Sequence, residues 1–147
     1  MKYQTNHCEK LNIIIEKVDF NCICLHALDD SGKEVGYLRF LLINEGSRSA
    51  WLNLIEVPDE CQHRGIGGSL ITIFEYICVK MRSYNIEGRY YPKNNYAKPF
   101  YDKYGYDIFY EGYEQYISKR LEPDKVIEKF MKNLINIDDK EKRLIER

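Results

Sequence analysis

Hydrophobic positions in the first 57 residues gather in short stretches that alternate with polar positions or run together, a pattern typical of β-strands. Four such stretches are residues 11–17 (LNIIIEK), 21–28 (NCICLHAL), 34–43 (EVGYLRFLLI) and 50–57 (AWLNLIEV). A turn sequence, DDSGK, separates the second stretch from the third. The fourth stretch is apolar on both faces, which predicts a central, buried strand.

The pattern becomes helical after residue 66. Over residues 67–81, apolar side chains recur at spacings of four, three and four, which predicts one apolar stripe on an amphipathic helix. The stripe consists of Leu70, Phe74, Ile77 and Met81, and the residues expected opposite are Thr72, Glu75, Lys80 and Ser83.

The last third of the chain mixes short strands and helices. It predicts a strand at residues 86–91, a short helix that ends at Gly105, and a closing hairpin of residues 106–110 and 114–121. Pro123 begins a last amphipathic helix. Its apolar side carries Val126, Phe130 and Leu134, and a mixed-charge tail, DDKEKRLIER, follows.

Composition sets the broad class. The chain has 147 residues, 44% of them hydrophobic and 31% charged, and no Gly-, Ser- or Pro-rich linker divides it. We therefore expect one globular domain over residues 1–147, with residues 122–147 as a C-terminal helix and charged tail. The apolar faces of the last helix and the hairpin are compatible with a homodimer.

Charge and cysteine usage exclude several function classes. A net charge of -1 argues against a nucleic-acid partner bound through a broad basic surface. No apolar run approaches the ~18 residues that span a membrane, and residues 1–10 lack the apolar core of a signal peptide, so we expect a cytoplasmic protein without membrane contact. The five cysteines contain no CxxC pair, so reduced thiols and no metal site are expected.

Three glycines stand immediately before the first predicted helix, in CQHRGIGGSL at residues 61–70. A dinucleotide-binding G-x-G-x-x-G loop fails at Leu70, which occupies the position of the last glycine. A phosphate-binding P-loop fails because no lysine precedes Ser69. The remaining pattern is Q-x-x-G-x-G, formed by Gln62, Gly65 and Gly67.

This position in the chain suits a pyrophosphate. The first N–H groups of a helix lack intrahelical partners, and the helix dipole is positive at that end. A side chain at the glycines would collide with phosphate oxygens that approach the backbone. The alternative is a tight strand-to-helix turn that holds no ligand.

A second segment, NNYAKPFYDKYGY at residues 94–106, distinguishes these alternatives. Together the two segments resemble the GNAT superfamily of acyl-CoA N-acyltransferases, whose Q/R-x-x-G-x-G/A loop binds the pyrophosphate of coenzyme A. The family's later segment is N-x-x-A-x-x-(L/F)-Y-x-K-x-G-F. It is matched here by Asn94, Ala97, Phe100, Tyr101, Lys103, Gly105 and Tyr106, with tyrosine in the final position. The resemblance covers residues 34–121.

The resemblance implies an α/β fold with a mixed, mostly antiparallel central sheet flanked by helices. It implies acetyl-CoA as co-substrate and an amine acceptor, either a protein or a small molecule. The cofactor-binding residues it implies are Ile55, Val57, Gln62, His63, Arg64, Gly65, Ile66, Gly67, Gly68, Ser69, Asn94, Lys98 and Tyr101. His63 either covers the phosphates, faces water or serves as a base, and Arg64 and Lys98 either pair with phosphates or are solvated.

The chemistry that the resemblance implies is direct attack of a neutral amine on the acetyl thioester. In the family, a backbone N–H late in the fourth strand stabilises the oxyanion, which here maps near Val57. The family's tyrosine acid maps onto Tyr101, whose alternative role is a core tyrosine. Glu56 is our candidate base, and its alternative role is a strand-end carboxylate that faces solvent. Asn53 and Glu56 share a face only if a bulge separates them.

The chain departs from the family in two places. Pro99 suits only the first turn of a helix, so the short helix should begin near Lys98. Family members usually carry two helices between their first two strands, whereas residues 18–20 are all that separate those strands here. These reduced N-terminal acceptor-site helices imply an open acceptor site, suited to a protein lysine or N-terminus. The reduced helices are also compatible with an alternative function, a non-catalytic GNAT-fold interaction module that still binds coenzyme A.

Overall fold

The computed structural model describes residues 2–5, 11–43, 48–62, 64–90 and 97–135. These residues form nine strands and three α-helices. The strands are β1 (Lys2–Thr5), β2 (Asn12–Lys17), β3 (Cys22–Leu28), β4 (Glu34–Ile43), β5 (Ser49–Glu56), β6 (Asn85–Tyr90), β7 (Asp107–Glu111), β8 (Glu114–Arg120) and β9 (Leu134–Ile135). The helices are α1 (Ile66–Lys80), α2 (Ala97–Lys103) and α3 (Pro123–Asn133).

All nine strands belong to one sheet, in the order β7-β8-β6-β5-β4-β3-β2-β1-β9. The pair β5–β6 is parallel, and the other pairs with a described register are antiparallel. This arrangement confirms the α/β fold with a mixed, mostly antiparallel sheet that the sequence predicted.

The two helices that the resemblance places between the first two predicted strands are replaced by a tight turn. Residues 18–21 join β2 to β3, and the N–H groups of Val18 and Asp19 both donate to the carbonyl of Cys22. Residues 2–5 form a strand rather than a helix, and residues 6–10 lie outside the described part of the chain.

The helices pack on one face of the sheet. Phe40 of β4 meets Phe74 of α1 with ring centroids 4.7 Å apart, and Tyr76 on α1 stacks on Phe130 of α3 at 3.6 Å. Helix α1 therefore lies between the sheet and α3. Helix α2 lies on the same side, where its Phe100 ring contacts the first turn of α1.

The apolar stripe predicted for α1 is buried at Leu70, Phe74 and Ile77, but the polar side predicted opposite it is wrong. Thr72 and Glu75, expected to face solvent, are buried together with most of the helix. The sheet covers one side of α1, and α2 and α3 cover the other. A polar residue in such a helix needs internal partners. Thr72 donates to the carbonyl of Gly68 at 2.8 Å, and Glu75 accepts from Lys119.

The sheet extends further at its β2 edge than the sequence indicated. β1 pairs with β2, and β9 pairs with β1. Leu134, predicted on the apolar stripe of the last helix, belongs to β9 because α3 ends at Asn133. The charged tail beyond residue 135 lies outside the described residues.

The other face of the sheet, which we call the open face, is not covered by any helix of the described part. Its side chains include Ile14, Tyr37, Arg39, Trp51 and Phe109, because residues opposite one another in antiparallel strands share a face. Ile14 and Phe109 remain 37% and 40% exposed. Among the described helices, none has both the length and the apolar character needed to cross a bilayer.

Four of the five cysteines lie in the described part, and Cys8 does not. Cys22, Cys24, Cys61 and Cys78 are all free thiols, and the last three are buried. Burial raises the pKa of the Cys78 thiol well above its usual value.

Candidate functional site

A cleft opens where β5 and β6 part. Their parallel pairing covers only Ser49 to Leu52 and Asn85 to Gly88. A side chain at Gly88 would place its Cβ 2.8 Å from the carbonyl oxygen of Leu52, so glycine permits this close last contact. Beyond it the two strands diverge around a cleft of about 840 Å³.

A β-bulge at Asn53 turns β5 away from β6. Phe40 lies opposite Leu52 and Arg39 lies opposite Leu54, so Asn53 is the extra residue. The Nε and Nη2 groups of Arg39 donate to Asn53 Oδ1 at 2.9 and 2.7 Å. The bulge places Glu56, opposite Tyr37, on the open face with Asn53. The sequence had required a bulge for this, and the structure confirms it.

The first turn of α1 borders the cleft. Gly65 adopts a left-handed conformation with φ of 80° at the N-cap, and no atom lies within 4 Å of the position of an added Cβ. The first turn contains no acidic residue. Residues 65–68 line the cleft, so the leading N–H groups of α1 border it at the positive end of the helix dipole, an arrangement suited to an anion.

The next two glycines are explained by protein packing. A Cβ on Gly67 would lie 2.8 Å from the Phe100 ring, and a Cβ on Gly68 would overlap the Tyr104 hydroxyl. The sequence analysis attributed the missing side chains to phosphate approach. In the structure, α2 and the residue that follows it leave no room for a Cβ at either position unless the Phe100 and Tyr104 rings shift.

The loop that precedes α1 is tied to the end of β5. Gln62 Nε2 donates to the carbonyl of Val57 at 3.1 Å and to Asp59 Oδ1 at 3.2 Å. Ser69 is buried, and its hydroxyl donates to the carbonyl of Gly65 at 3.0 Å. These contacts hold the backbone that connects the strand to the helix.

Tyr101 borders the opposite side of the cleft. Its side chain is 7% exposed, and its ring meets Tyr90 at 6.3 Å between centroids. Burial, with a smaller contribution from Tyr90, raises the pKa of Tyr101 to about 12. The hydroxyl therefore stays protonated throughout the neutral range.

A buried ion pair anchors α2 and its C-terminal turn. Lys119 Nζ lies 2.8 Å from Glu75 Oε1 and 2.7 Å from the carbonyl oxygen of Tyr104. The Tyr106 hydroxyl donates to Glu75 Oε2 at 3.1 Å. Burial and the Glu75 carboxylate raise the pKa of Tyr106 well above its usual value. This network links α1, β8 and the α2–β7 turn, so the position of Tyr104 depends on it.

The cleft brings together most of the sequence-predicted site residues. It is lined by Ile55, Glu56, Val57, Gln62, Gly65, Ile66, Gly67, Gly68 and Tyr101. Arg64, Ser69 and Lys98 do not line it, and Lys98 instead pairs with Asp102 at 2.9 Å. His63 and Asn94 lie outside the described residues.

The sequence analysis missed several lining residues, among them Glu34, Tyr37, Arg89 and Tyr104, and it named Phe100 and Lys103 only as part of the second family motif. Phe100, Lys103 and Tyr104 lie within one helical turn of Tyr101, a spacing that could have indicated them. Glu34 and Tyr37 reach the cleft through the register of β4 with β5, which sequence periodicity does not give.

Comparison with known proteins identifies the family. A family model described as the acetyltransferase (GNAT) domain matches residues 21–108. The chain therefore belongs to the GNAT acetyltransferase family, whose members transfer acyl groups from acyl-CoA. No curated protein sequence matches the chain significantly.

Solved structures share the fold. The PaiA N-acetyltransferase of Thermoplasma acidophilum, in complex with coenzyme A, has a TM-score of 0.62 at 22% identity, over 69% of this chain and 62% of that chain. An acetyltransferase of Thermus thermophilus has a TM-score of 0.60 at 22% identity, over 71% and 67%. Naa20 of Chaetomium thermophilum, in complex with a bisubstrate analogue, has a TM-score of 0.60 at 19% identity, over 69% and 67%. The chain thus spans less than two thirds of the PaiA chain.

The contact between Gly68 and Tyr104 yields a stability prediction. Gly68→Ala should lower the free energy of unfolding by about 1–3 kcal/mol because its Cβ overlaps the Tyr104 hydroxyl. In a Tyr104→Ala background the same change should be neutral or stabilising, since alanine favours a helix by up to about 1 kcal/mol over glycine. Urea unfolding of the four proteins measures the difference. Equal effects in both backgrounds would show that this contact does not restrict residue 68.

Proposed function

We propose that this protein is an N-acetyltransferase that moves an acetyl group from acetyl-CoA to a primary amine by direct attack. The observation that carries the proposal is one continuous cleft that joins the first turn of α1, the end of β5 and the Tyr101 side chain. Family membership supports transfer from an acyl-CoA. The coenzyme A complex of the PaiA protein and the bisubstrate complex of Naa20 support the same function.

The shape of the cleft supports one direction for the bound cofactor. The N–H groups around Gly65 suit the pyrophosphate. The acyl arm then runs along β5 toward the end where β5 and β6 meet. The distance from Val57 back to Asn53 is about 13 Å at the rise of an extended strand. The thioester therefore comes to the bulge, within the half of the cleft bordered by Tyr101.

The proposed chemistry needs three groups of this chain. Glu56 accepts the proton of the acceptor amine, directly or through water, because it lies on the open face beside the cleft. Backbone N–H groups between the bulge and Val57 stabilise the oxyanion. Tyr101, which lines the cleft, donates its proton to the departing thiolate.

The acceptor enters from the open face. Glu34, Tyr37, Asn53 and Glu56 line the cleft, and all four belong to strands β4 and β5 that the described helices leave uncovered on that side. A bulky acceptor can approach on that side because no described helix has to move away first. The carboxylates of Glu34 and Glu56 favour a cationic acceptor, so we propose a protein lysine or N-terminus.

A non-catalytic interaction module that retains coenzyme A binding is the second candidate. The observation in its favour is the same uncovered sheet face, which is available to a protein partner. The buried Tyr101 beside the cleft argues for the enzyme.

Acetyl-CoA binding can be tested at Gly65. Gly65→Asp should weaken the affinity by at least about tenfold, because it brings a negative charge into the open space beside the first turn. Asp tolerates the left-handed conformation and favours an N-cap, so the fold should persist. Gly65→Asn, with the same shape and no charge, should lose less affinity. Calorimetric titration of acetyl-CoA measures all three proteins.

Wild-type protein should also gain roughly 2.7 kcal/mol of stability at a hundred times the dissociation constant. Undiminished binding by Gly65→Asp would mean that the pyrophosphate does not lie at this helix end. No binding by the wild type would refute the proposed function.

Proton donation can be tested with Tyr101→Phe, which removes only the hydroxyl. kcat should fall by about 10²–10⁴-fold, because the thiolate would leave unprotonated, while the dissociation constant of acetyl-CoA stays within about twofold. Tyr113→Phe, at a fully exposed tyrosine of the β7–β8 turn, should have no effect. Steady-state release of free thiol measures kcat. Equal rates for wild type and Tyr101→Phe would exclude the hydroxyl as the acid.

The acceptor class can be tested with a panel of amines. A basic peptide with one free lysine should show a kcat/KM at least about tenfold above spermidine or an amino sugar, and raised salt should reduce the difference. The measurement is thiol release from acetyl-CoA, with mass spectrometry of the acceptor. Efficient acetylation of the small amines with none of the peptide would contradict a protein acceptor. Tight acetyl-CoA binding with no turnover of any amine would favour the non-catalytic module.

A further inference from the structure

Asn53 lines the cleft at the end where β5 and β6 meet, and Arg39 bonds it there. Neither side chain has a role in the acyl transfer proposed so far. We propose that the side-chain amide of Asn53 is an additional hydrogen-bond donor to the thioester carbonyl oxygen, and that Arg39 is the positioning residue that turns this amide toward the cleft. The inference rests on the proposed acyl transfer and adds a catalytic group to it.

The bonds from Arg39 fix the orientation of the Asn53 amide. Nε and Nη2 of Arg39 both lie within 2.9 Å of Asn53 Oδ1. A guanidinium group has only donors, so the oxygen of the amide must face it and the NH₂ group must face away. The assignment of oxygen and nitrogen is therefore determined by chemistry. Because both bonds go to the one acceptor atom of Asn53, this residue is left with donors for a ligand.

The position of Asn53 along β5 gives these donors their target. Pairing with β6 ends at Leu52, and Asn53 is the next residue and lines the cleft. An acyl-CoA whose pyrophosphate lies at the first turn of α1 carries its thioester to this end. The group that a donor can bind there is the carbonyl oxygen, which gains negative charge as the amine attacks.

The proposed acyl transfer uses Asn53 together with Glu56 and Tyr101. The amine nitrogen forms a bond to the carbonyl carbon, and the electron pair of the C=O bond moves to oxygen. The oxyanion then collapses, the C–S bond breaks, and the thiolate takes the Tyr101 proton while Glu56 holds the proton from the amine. Glu56 afterwards releases its proton to water, and the Tyr101 phenolate regains one from water. The Asn53 N–H stabilises the oxygen at the intermediate stage. The positive charge on Arg39, bonded to the same amide, makes that N–H a stronger donor.

The test compares Asn53→Asp with Asn53→Ala. Asn53→Asp keeps the size of the side chain and the bonds from Arg39 but has no N–H, and Asn53→Ala removes both oxygen and nitrogen. With acetyl-CoA and a single-lysine peptide as probes, both variants should lower kcat by about 10²–10³-fold. The dissociation constant of acetyl-CoA and the KM of the peptide should change by less than about threefold.

The chain offers a matched control at Asn85. Its Oδ1 accepts a bond from Arg120 Nη1 at 3.1 Å on the same face of the sheet, at the start of β6, and Asn85 does not line the cleft. Asn85→Asp should leave kcat unchanged. For the positioning role, Arg39→Met should lower kcat in wild type but have little further effect in Asn53→Ala, and Arg39→Lys should restore part of the rate.

The results separate this proposal from the proposed function. Unchanged kcat in Asn53→Asp and Asn53→Ala would overturn the donor role of Asn53. A higher KM for the peptide with unchanged kcat would also overturn it, because Asn53 would then bind the acceptor. Independent effects of Arg39→Met and Asn53→Ala would overturn the positioning role. Failure of the wild type to bind acetyl-CoA would refute the proposed function and this inference with it.

Discussion

The parallel pairing of β5 with β6 ends after four residues, and the cleft exists because it ends there. Gly88 lets the two strands approach at their last contact, and the bulge at Asn53 turns β5 away immediately beyond it. Within the described part of the chain, the backbone groups of β5 that face β6 from residue 53 onward then have no strand partner. Polar backbone groups in a cleft need water or a ligand. An extended arm that contains amide groups can supply these bonds as an added strand would.

The placement of the helices follows from the same sheet. Leu38, Phe40 and Leu52 share one face, which is covered by α1, and α1 is covered in turn by α3. A helix buried on both sides cannot leave Glu75 in solvent, so Lys119 and Tyr106 neutralise and bond it. Lys119 also bonds the carbonyl of Tyr104. The buried charge therefore contributes to the site by holding the Tyr104 ring against the first turn of α1.

Sequence periodicity located β2 to β8 and α1 to within about two residues, because each of these elements has its own hydrophobic pattern. It missed β1 and β9, because strands of four and two residues are too short to show an alternating pattern, and β9 pairs with β1 from the other end of the described chain. Contacts between residues distant in sequence also limited the prediction of the site. Gln62, Gly65 and Tyr101 stand in local motifs and were found. Glu34 and Tyr37 reach the cleft through strand register, and the exposure of Glu75 was misjudged because α3 covers it.

The short β2–β3 turn gives the open face its character. Polar side chains there bond one another: His26 lies 2.6 Å from Glu34 and 3.3 Å from Glu16. Although burial opposes it, bonding to these two carboxylates raises the pKa of His26. Such a face is compatible with water without a covering helix, because several of its polar groups bond one another and its exposed apolar residues are scattered. The cleft opens onto this face. In the proposed reaction, an acceptor that covers the face would exclude water from the thioester only while the acceptor is bound. A large acceptor meets that requirement better than a small amine, because it replaces the cover that the helices between the first two strands would supply.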